Sequence, residues 1–251
     1  MKLRFTRRHW NKLAQTDPLW AVLTSPEKKG NRWQIDEFFA DGRATVAEAL
    51  KVIQTQYPEL RLGSALDFGC GVGRLTQGLA HHFDRVTGVD ISEEMLVHAR
   101  RYNQHGQRVT YLHNPHSDLH LFTNDQFDLV YSLITLQHME PVYAKIYIAE
   151  FVRIAAKGGF ILFQVPSQRL VEKPENTLLT HWPPTFFKRL RRRIERRLNI
   201  WLASDPLMEM HAIPTEEVRA ILTQNGAEVL QVTRYHAAGE LESWAYLARK
   251  L

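Results

Sequence analysis

The stretch Ala65-Leu-Asp-Phe-Gly-Cys-Gly-Val-Gly-Arg-Leu-Thr76 combines a short apolar strand, a glycine-rich turn and the start of a helix. Gly69, Gly71 and Gly73 have no Cβ, so the chain can turn tightly there and a ligand can approach the backbone. The helix that begins near Arg74 directs its unpaired first N–H groups toward the same crevice. The stretch therefore predicts a ligand-binding turn between a strand and a helix.

Short apolar runs alternate with helical stretches on the C-terminal side of this turn. The predicted strands are 65–68, 86–89, 109–112, 127–133 and 160–165, and the predicted helices between them are 74–81, 92–103 and 141–155. Alternation at this spacing predicts βαβ units and a doubly wound α/β fold, with a mostly parallel sheet and helices on both faces. Right-handed crossovers then place the strand C-termini, and the ligand, at one edge of the sheet.

Changes in sequence texture predict four regions. Residues 1–60 are predicted to form an N-terminal helical extension, with a helix at 45–53. We expect this extension to form a lid, in which Trp33, Phe38 and Phe39 either line a wall or pack internally. Residues 61–166 form the ligand-binding core. Residues 167–213 form a helical insertion, and residues 214–251 add a helix and two strands, at 227–232 and 243–248, that complete the sheet.

Composition excludes several classes of protein. The 251 residues include one cysteine, Cys70, so no internal disulfide framework can form. No apolar run approaches the length of a membrane-spanning helix, and no apolar stretch follows the basic N-terminus as it would in a signal peptide. We therefore expect a cytoplasmic protein. The formal net charge of +5 permits an anionic partner without requiring one.

The third glycine distinguishes between possible nucleotide ligands. A dinucleotide-binding turn reads G-x-G-x-x-G. The position of its third glycine is occupied by Arg74 when the motif starts at Gly69, and by Thr76 when it starts at Gly71. The turn is G-x-G-x-G instead, which disfavours an NAD-dependent oxidoreductase. Asp90, about 20 residues further on at the end of the second strand, is placed to accept hydrogen bonds from ribose hydroxyls. A structural turn without a ligand is the alternative.

Taken together, the motifs resemble class I S-adenosylmethionine-dependent methyltransferases. The glycine turn, Gly88-Val-Asp-Ile-Ser-Glu-Glu-Met-Leu, Phe127-Asp-Leu-Val-Tyr-Ser-Leu-Ile-Thr-Leu-Gln-His and the turn Lys157-Gly-Gly carry the resemblance, which covers about residues 60–166. It implies a Rossmann-like, seven-stranded sheet, mostly parallel with an antiparallel last strand. It also implies S-adenosyl-L-methionine as cofactor and S-adenosyl-L-homocysteine as product.

The resemblance also implies roles for individual residues in holding the cofactor. These predicted residues are Asp67, Gly69, Cys70, Gly71, Gly73, Asp90, Ile91, Asn114, Asp118, Ser132 and Leu133. The glycines would line the methionine part and the ribose, Asp90 would bind the ribose hydroxyls, and Ile91 would pack on the adenine. Asp67 would orient the turn or contact the methionine amino group. The adenine amino group would contact Asn114 or Asp118.

Acceptor-side residues are predicted after the fourth strand. Ser132 and Leu133 would close over the cofactor, and Gln137 and His138 follow at the rim where an acceptor would bind. His138 is the candidate catalytic residue, as a group that orients the acceptor or takes its proton. The alternative is a histidine that bonds backbone and shapes the loop. His211, in the region after Pro166, is a further candidate for substrate choice.

A metal site is not expected. His113, His116 and His120 surround Asp118, but Pro115 argues against the regular helix that a His-x3-His zinc site needs. We interpret the segment as a solvated loop beside the cofactor.

The stretch from Lys188 to Arg197, Lys-Arg-Leu-Arg-Arg-Arg-Ile-Glu-Arg-Arg, reads as a basic amphipathic helix. Such a helix suits a nucleic acid, an anionic membrane surface or an acidic substrate. The same pattern is equally typical of a helix that packs on the domain and exposes its basic face.

The predicted function is methyl transfer from S-adenosylmethionine by in-line displacement, a reaction that depends mainly on alignment. The expected acceptor is a small molecule or a lipid-linked or sugar-linked compound. One alternative is an RNA or protein methyltransferase that uses the basic helix. Another is a non-catalytic, cofactor-binding partner subunit.

Overall fold

The computed structural model describes residues 2–169, 209–235 and 241–251. Three helices precede the sheet: α1 (Lys2–Thr16), α2 (Pro18–Val22) and α3 (Ile35–Gln56). The strands are β1 (Ser64–Phe68), β2 (Arg85–Asp90), β3 (Val109–His113), β4 (Phe127–Ser132), β5 (Ala155–Arg169), β6 (Ala227–Arg234) and β7 (Leu241–Lys250). The helices among them are α4 (Arg74–Leu79), α5 (Glu93–Tyr102), α6 (Pro141–Ile154) and α7 (Thr215–Gln224).

The strands form one seven-stranded sheet in the order β3-β2-β1-β4-β5-β7-β6. Strands β1 to β5 pair in parallel, and β7 runs antiparallel to both β5 and β6. The predicted fold class is confirmed. The chain leaves β1 toward β2 and β3 on one side and returns to place β4 on the other. The gap between the carboxyl ends of β1 and β4 is thus the topological switch point, where sheets of this kind bind ligands.

Apolar residues cover both faces of the sheet, as predicted. Val46 of α3 and Leu79 of α4 are completely buried on one face, in a cluster that also includes side chains of α5. Phe151 of α6 and Val218 of α7 are completely buried on the other. Side chains in such clusters stabilise the fold by about 1.5–3 kcal/mol each through removal of apolar area from water.

The N-terminal helices form a third apolar cluster against α5. Phe38 and Phe39 are buried in it, at 0% and 5% exposure, together with Met95 of α5. The Trp33 indole N–H donates to the carbonyl of Leu23 at 3.0 Å. These aromatic residues therefore stabilise the packing of the extension and do not form a wall of the cavity described below.

Two elements are longer than the sequence pattern predicts. The predicted helix 45–53 is the second half of the 22-residue α3, whose first half is amphipathic around Phe38 and Phe39. Strand β5 includes the predicted turn Lys157-Gly-Gly as an irregularity, because its register with β4 moves from Phe127↔Ala155 to Leu129↔Phe160. Gly158 takes φ +72° there, a backbone conformation that favours glycine.

Most of the predicted insertion, including the basic stretch from Lys188 to Arg197, lies outside the described residues. Among the residues that are described, no helix is long and apolar enough to cross a membrane.

Candidate active site

A cavity opens at the carboxyl ends of β1, β2 and β4, at the topological switch point. The space between its walls, open solvent at its mouth included, is ≈ 940 Å³. The predicted site residues in its lining are Asp67, Gly69, Cys70, Gly71, Asp90, Ile91, Asn114, Leu133 and His138. Five other predicted residues are not in that lining, namely Gly73, Asp118, Ser132, Gln137 and His211.

The glycine turn is packed so closely that side chains are excluded from it. Gly69 takes φ +74°, and a Cβ there would lie 2.1 Å from the side chain of Thr135. Gly71 takes φ +54°, and its Cβ would lie 2.6 Å from Val22 of α2. The Gly69 N–H donates to the carbonyl of Val89 at 2.8 Å, which joins the turn to the end of β2. The turn therefore presents bare backbone to the cavity.

Asp90 joins the glycine turn to the end of β2. One carboxylate oxygen accepts the N–H of Gly71 at 2.8 Å, and the other accepts the N–H of Ser92 at 2.8 Å. Burial raises the pKa of the Asp90 carboxyl above its ordinary value, while these two N–H donors oppose the rise. Each oxygen has a second acceptor position left, so the carboxylate can still accept two ribose hydroxyls.

Asp67 is buried on the wall beneath the turn, at 1% exposure. Its carboxylate accepts the hydroxyl of Thr76 at 2.6 Å. Burial raises its pKa to about 6, against the opposing effects of the Thr76 hydrogen bond and the charge of Arg74. The group can therefore change its charge near neutral pH, and a cationic ligand group beside it would favour the ionised form.

The loop after β3 places Asn114, and not the Asp118 carboxylate, at the cavity. The Asn114 amide donates to the carbonyl of Asp118 at 2.7 Å, and its oxygen accepts the N–H of His116 at 3.3 Å. The Asp118 carboxylate is half-exposed and pairs with His120. Asn114 is therefore the residue that shapes this wall, with its side chain engaged by its own loop.

The histidines of this loop do not converge. The His113 ring nitrogen Nε2 lies 3.0 Å from the carbonyl oxygen of Ile91, and the rings of His116 and His120 contact each other edge to face. Within the described part of the chain, no three His, Cys, Asp or Glu side chains are grouped as a metal site requires.

His138 lies at the mouth of the cavity, in the turn Leu136–His138 that follows β4. Its Nδ1 is 3.0 Å from the carbonyl oxygen of Glu209, and its Nε2 is 3.1 Å from the amide nitrogen of Gln137. A carbonyl only accepts and an amide nitrogen only donates, so the partners assign the proton to Nδ1 and the lone pair to Nε2. Burial lowers the pKa of His138, which keeps the ring neutral.

Gln137 and His211 lie behind His138. The Gln137 side chain is buried, and the backbone carbonyl of Gln137 accepts the backbone N–H of His211 at 2.7 Å. These residues support the mouth of the cavity from outside its lining.

Two further predicted residues hold the strands around the site in place. The Ser132 hydroxyl donates to the carbonyl of Phe68 at 3.0 Å and so ties the end of β4 to β1. Gly73 takes φ +87°, and a Cβ there would lie 2.3 Å from the Tyr111 hydroxyl oxygen, so this glycine allows β3 to pack beneath the turn.

Several lining residues lie outside the motifs. Leu3, Thr6 and Trp10 of α1 form part of the wall, and the Trp10 ring meets His138 edge to face at 5.3 Å between ring centres. Gln164 of β5 is buried behind the site, and its amide donates to the Gln137 side-chain oxygen at 3.2 Å. A lone polar residue in the apolar run 160–165 is a signal that could have identified Gln164. No local pattern distinguishes the face of α1 that meets the cavity.

Residues 65–159 match the family model described as Methyltransferase domain. Over these residues the chain is similar to methyltransferases, in agreement with the resemblance seen in the sequence.

Named relatives and a solved structure are similar to it. A ubiquinone biosynthesis O-methyltransferase from Hydrogenovibrio crunogenus is 26% identical over 155 residues, or 61% of this chain and 62% of that protein. A trans-aconitate 2-methyltransferase from Deinococcus radiodurans is 30% identical over 139 residues, or 54% of this chain and 50% of that protein. The matches thus span between 50% and 62% of the length of these two relatives. Magnesium protoporphyrin IX methyltransferase from Synechocystis PCC 6803, crystallised with S-adenosylhomocysteine, shares the fold at a TM-score of 0.65 and 17% identity over 100% of both chains.

Proposed function

We propose that this chain is an S-adenosylmethionine-dependent methyltransferase that methylates a small molecule. The observation that carries the proposal is the Gly71–Asp90 hydrogen bond. It joins a side-chain-free turn and a carboxylate in the wall of one cavity at the switch point of the sheet. A turn that presents backbone and a carboxylate that retains acceptor positions together suit the adenosyl and methionine parts of that cofactor.

The bound cofactor supplies an electrophilic methyl group on sulfur. The lining residues of this chain would position it. Asp90 would accept the ribose hydroxyls, Ile91 and Met95 would pack on the base, and the Gly69 backbone would face the methionine part. Because in-line displacement depends on alignment, the rigidity of these walls is the main contribution of the protein.

His138 shapes the acceptor side of the cavity in this proposal and is not a base. Its Nε2 lone pair is directed at the Gln137 amide and its Nδ1–H at the Glu209 carbonyl, so neither ring nitrogen is free to take a proton in this arrangement. A base role would require the Gln137 contact to break first. An amine acceptor needs no such base.

The small-molecule class rests on two observations. Helix α1 covers part of the cavity, through the lining residues Leu3, Thr6 and Trp10. The relatives are named for ubiquinone biosynthesis and trans-aconitate, and the structural neighbour for magnesium protoporphyrin IX, all of which are small-molecule chemistries. The basic stretch from Lys188 to Arg197, which would favour RNA or an anionic surface, stays a sequence prediction.

Calorimetry with S-adenosylhomocysteine tests the cofactor assignment. The wild type should bind, and Asp90→Asn should bind at least tenfold more weakly, because one oxygen that accepts an N–H becomes an amide donor. Asp84→Asn is the matched control, since Asp84 is exposed just before the other end of β2, and it should bind as the wild type does. Absence of wild-type binding, or unchanged binding by Asp90→Asn, would refute the assignment.

Transfer itself is tested with tritiated S-adenosylmethionine and cell extract separated into small-molecule, lipid, RNA and protein fractions. Label in the small-molecule or lipid fraction supports the proposed acceptor class. Label confined to RNA or protein contradicts it. Binding without transfer to any fraction indicates the non-catalytic partner subunit.

A further inference from the structure

A second, smaller cavity, the side cavity, adjoins the cofactor cavity beside α1. The space between its walls, open solvent included, is ≈ 310 Å³. Three of its lining residues, Thr6, Trp10 and His138, also line the cofactor cavity, so the two cavities share a wall. The other lining residues are Phe5, His9, Leu13 and Glu209. A group bound in the side cavity therefore lies next to the mouth of the cofactor cavity, where an acceptor would enter.

The side cavity contains one carboxylate. Glu209 supplies it, and no lysine or arginine of the described residues lines this cavity. The Glu209 carboxylate is half-exposed and lies 3.5 Å from Nε2 of His211. The backbone carbonyl of Glu209 accepts the Nδ1–H of His138, so this residue is held against the shared wall. The cavity thus offers a fixed hydrogen-bond acceptor of negative charge.

His9 contributes a buried hydrogen-bonding atom without a partner. Its Nδ1 is buried and forms no hydrogen bond with the described residues. Such an atom is costly to bury unless a ligand or water satisfies it. When the ring proton is on Nε2, the lone pair of Nδ1 accepts an N–H. The group that satisfies both this lone pair and the Glu209 carboxylate is a hydrogen-bond donor.

Aromatic rings form much of the remaining wall. The rings of Phe5 and His9 lie 4.0 Å apart between their centres, and the Trp10 ring lies against His138. The faces of phenyl and indole rings attract cations. A protonated nitrogen on an apolar stem therefore matches the side cavity in three respects: it donates several N–H groups, it carries the charge opposite to that of Glu209, and it favours aromatic walls.

The basic residues of α1 lie on another face of that helix. Arg4, Arg8 and Lys12 are exposed and follow each other at a spacing of four, which places them in one row. The lining residues Phe5, His9 and Leu13 form the neighbouring row. Because water and salt screen exposed charges, the basic row opposes a cation in the side cavity less than a lysine or arginine in the lining would.

We propose that the side cavity binds a protonated amine of the acceptor, so that the substrate is a small molecule with a cationic nitrogen. The inference rests on the proposed function and names the substrate class of the same site. A protonated nitrogen has no lone pair with which to attack a methyl group. This nitrogen is therefore an anchor, and another atom of the acceptor receives the methyl group. Glu209 and His9 bind the anchor, and Phe5 and Trp10 enclose it.

The test uses three probes that share a phenyl ring and a two-carbon stem and differ in charge. They are 2-phenylethylamine, which is a cation at neutral pH, 2-phenylethanol, which is neutral, and 3-phenylpropionate, which is an anion. Each is titrated by NMR into protein saturated with S-adenosylhomocysteine. We expect the wild type to bind the amine at least fivefold more tightly than either of the others, because only the amine combines charge and N–H donors.

Glu209→Gln is the decisive variant. It removes the charge but keeps the size of the side chain and the backbone carbonyl that holds His138. It should bind the amine and the alcohol with affinities equal within about twofold. Glu48→Gln is the matched control, since Glu48 is exposed on α3 and lines neither cavity, and it should leave the preference unchanged.

Phe5→Leu is a second variant, which keeps an apolar side chain and removes the aromatic face. The preference for the amine should fall by about twofold or more. Binding of S-adenosylhomocysteine with wild-type affinity reports that a variant is folded. If Glu209→Gln fails this check, Phe5→Leu takes its place, and an unchanged preference in that variant overturns the inference.

The outcomes separate the two claims. If the wild type does not bind S-adenosylhomocysteine, the proposed function is wrong and the inference with it. If it binds S-adenosylhomocysteine but binds none of the probes at millimolar concentration, shows no preference among them or prefers the anion, the cofactor assignment stands and the inference is wrong. A preference for the amine that persists in Glu209→Gln locates the cation elsewhere and also overturns the inference.

Discussion

The backbone N–H of Ile134 donates to the side-chain oxygen of Gln164 at 3.0 Å. Ile134 takes φ +58°, a left-handed conformation that costs a β-branched residue about 1–3 kcal/mol. The Gln164 amide nitrogen also donates to the side-chain oxygen of Gln137, which in turn holds His138. One buried glutamine thus fixes a strained residue of the cofactor cavity relative to the turn at its mouth.

Replacement of this glutamine should destabilise the protein. Gln164→Leu leaves the Ile134 N–H and the Gln137 oxygen without partners, so we expect the free energy of unfolding to fall by about 1–3 kcal/mol. Urea denaturation measures it. Gln224→Leu, at the exposed end of α7, should change stability by less than about 0.5 kcal/mol. Equal effects of the two substitutions would contradict a special role for Gln164.

Gly69→Ala should abolish cofactor binding and cost more stability than backbone strain alone. Gly226 also has a positive φ, +88°, but nothing lies within 4 Å of a Cβ there, so Gly226→Ala measures the strain by itself, about 1 kcal/mol. The Cβ at Gly69 would also clash with Thr135, which adds about 1–3 kcal/mol of overpacking. Thermal unfolding and calorimetry with S-adenosylhomocysteine check the two expectations. Equal losses of stability at both positions would show that Thr135 can move away from the new Cβ without a cost in free energy.

The buried Asp67 should make stability depend on pH. Its pKa is raised by burial from 3.8 to about 6 in the folded chain, so the folded state holds this proton more tightly than the unfolded state does. The protonated carboxyl therefore stabilises the fold at low pH, and that contribution is lost as the pH rises from about 4 to 6. The loss amounts to about 3 kcal/mol at 1.36 kcal/mol per pKa unit.

Asp67→Asn measures this effect, because the amide cannot ionise and its oxygen can still accept the Thr76 hydroxyl. In urea titrations between pH 4 and 7.5, the stability of the wild type minus that of Asp67→Asn should fall with rising pH and level off above about pH 7. A difference that stays constant or increases with pH would refute the assignment.

His138 should be neutral at pH 7, with its proton on Nδ1. Burial lowers its pKa, and the Glu209 carbonyl and Gln137 amide select this tautomer. Long-range ¹⁵N–¹H NMR spectra of the imidazole distinguish the two nitrogens directly. Gln137→Leu should shift the Nε2 resonance and leave Nδ1 in place. A protonated ring at pH 7, or a proton on Nε2, would contradict the assignment.

Local signals predicted the fold and the central part of the site. The glycine turn and Asp90 could be read from the sequence because each depends on a few adjacent residues: a strand, a turn that excludes side chains, and a carboxylate at the end of the next strand. The alternation of strands and helices similarly predicted the sheet. The two closely spaced C-terminal strands and the family resemblance both indicated its antiparallel edge, which the ladders of β7 with β5 and β6 confirm.

Contacts between distant parts of the chain could not be predicted. In the sequence, Arg74 stands out only because it occupies the position at which a dinucleotide-binding turn has its third glycine. Its hydrogen-bond partners could not be predicted, because they lie on α3, 29 to 33 residues earlier. The choice between Asn114 and Asp118 depends on which way a loop folds its side chains. Phe38 and Phe39 were candidates for a lid wall because an aromatic pair alone does not indicate which neighbours it packs against.

The wall formed by α1 is built independently of the hydrogen bonds that hold the glycine turn. Its 15 residues are joined to α5 through Asn11, which accepts the Ser92 hydroxyl at 2.7 Å, while Leu3 and Trp10 meet the cavity. None of these side chains bonds the glycine turn or the Asp90 carboxylate. Substitutions on that face of α1 would therefore change the shape of the cavity without removing the hydrogen bonds that Asp90 makes to Gly71 and Ser92.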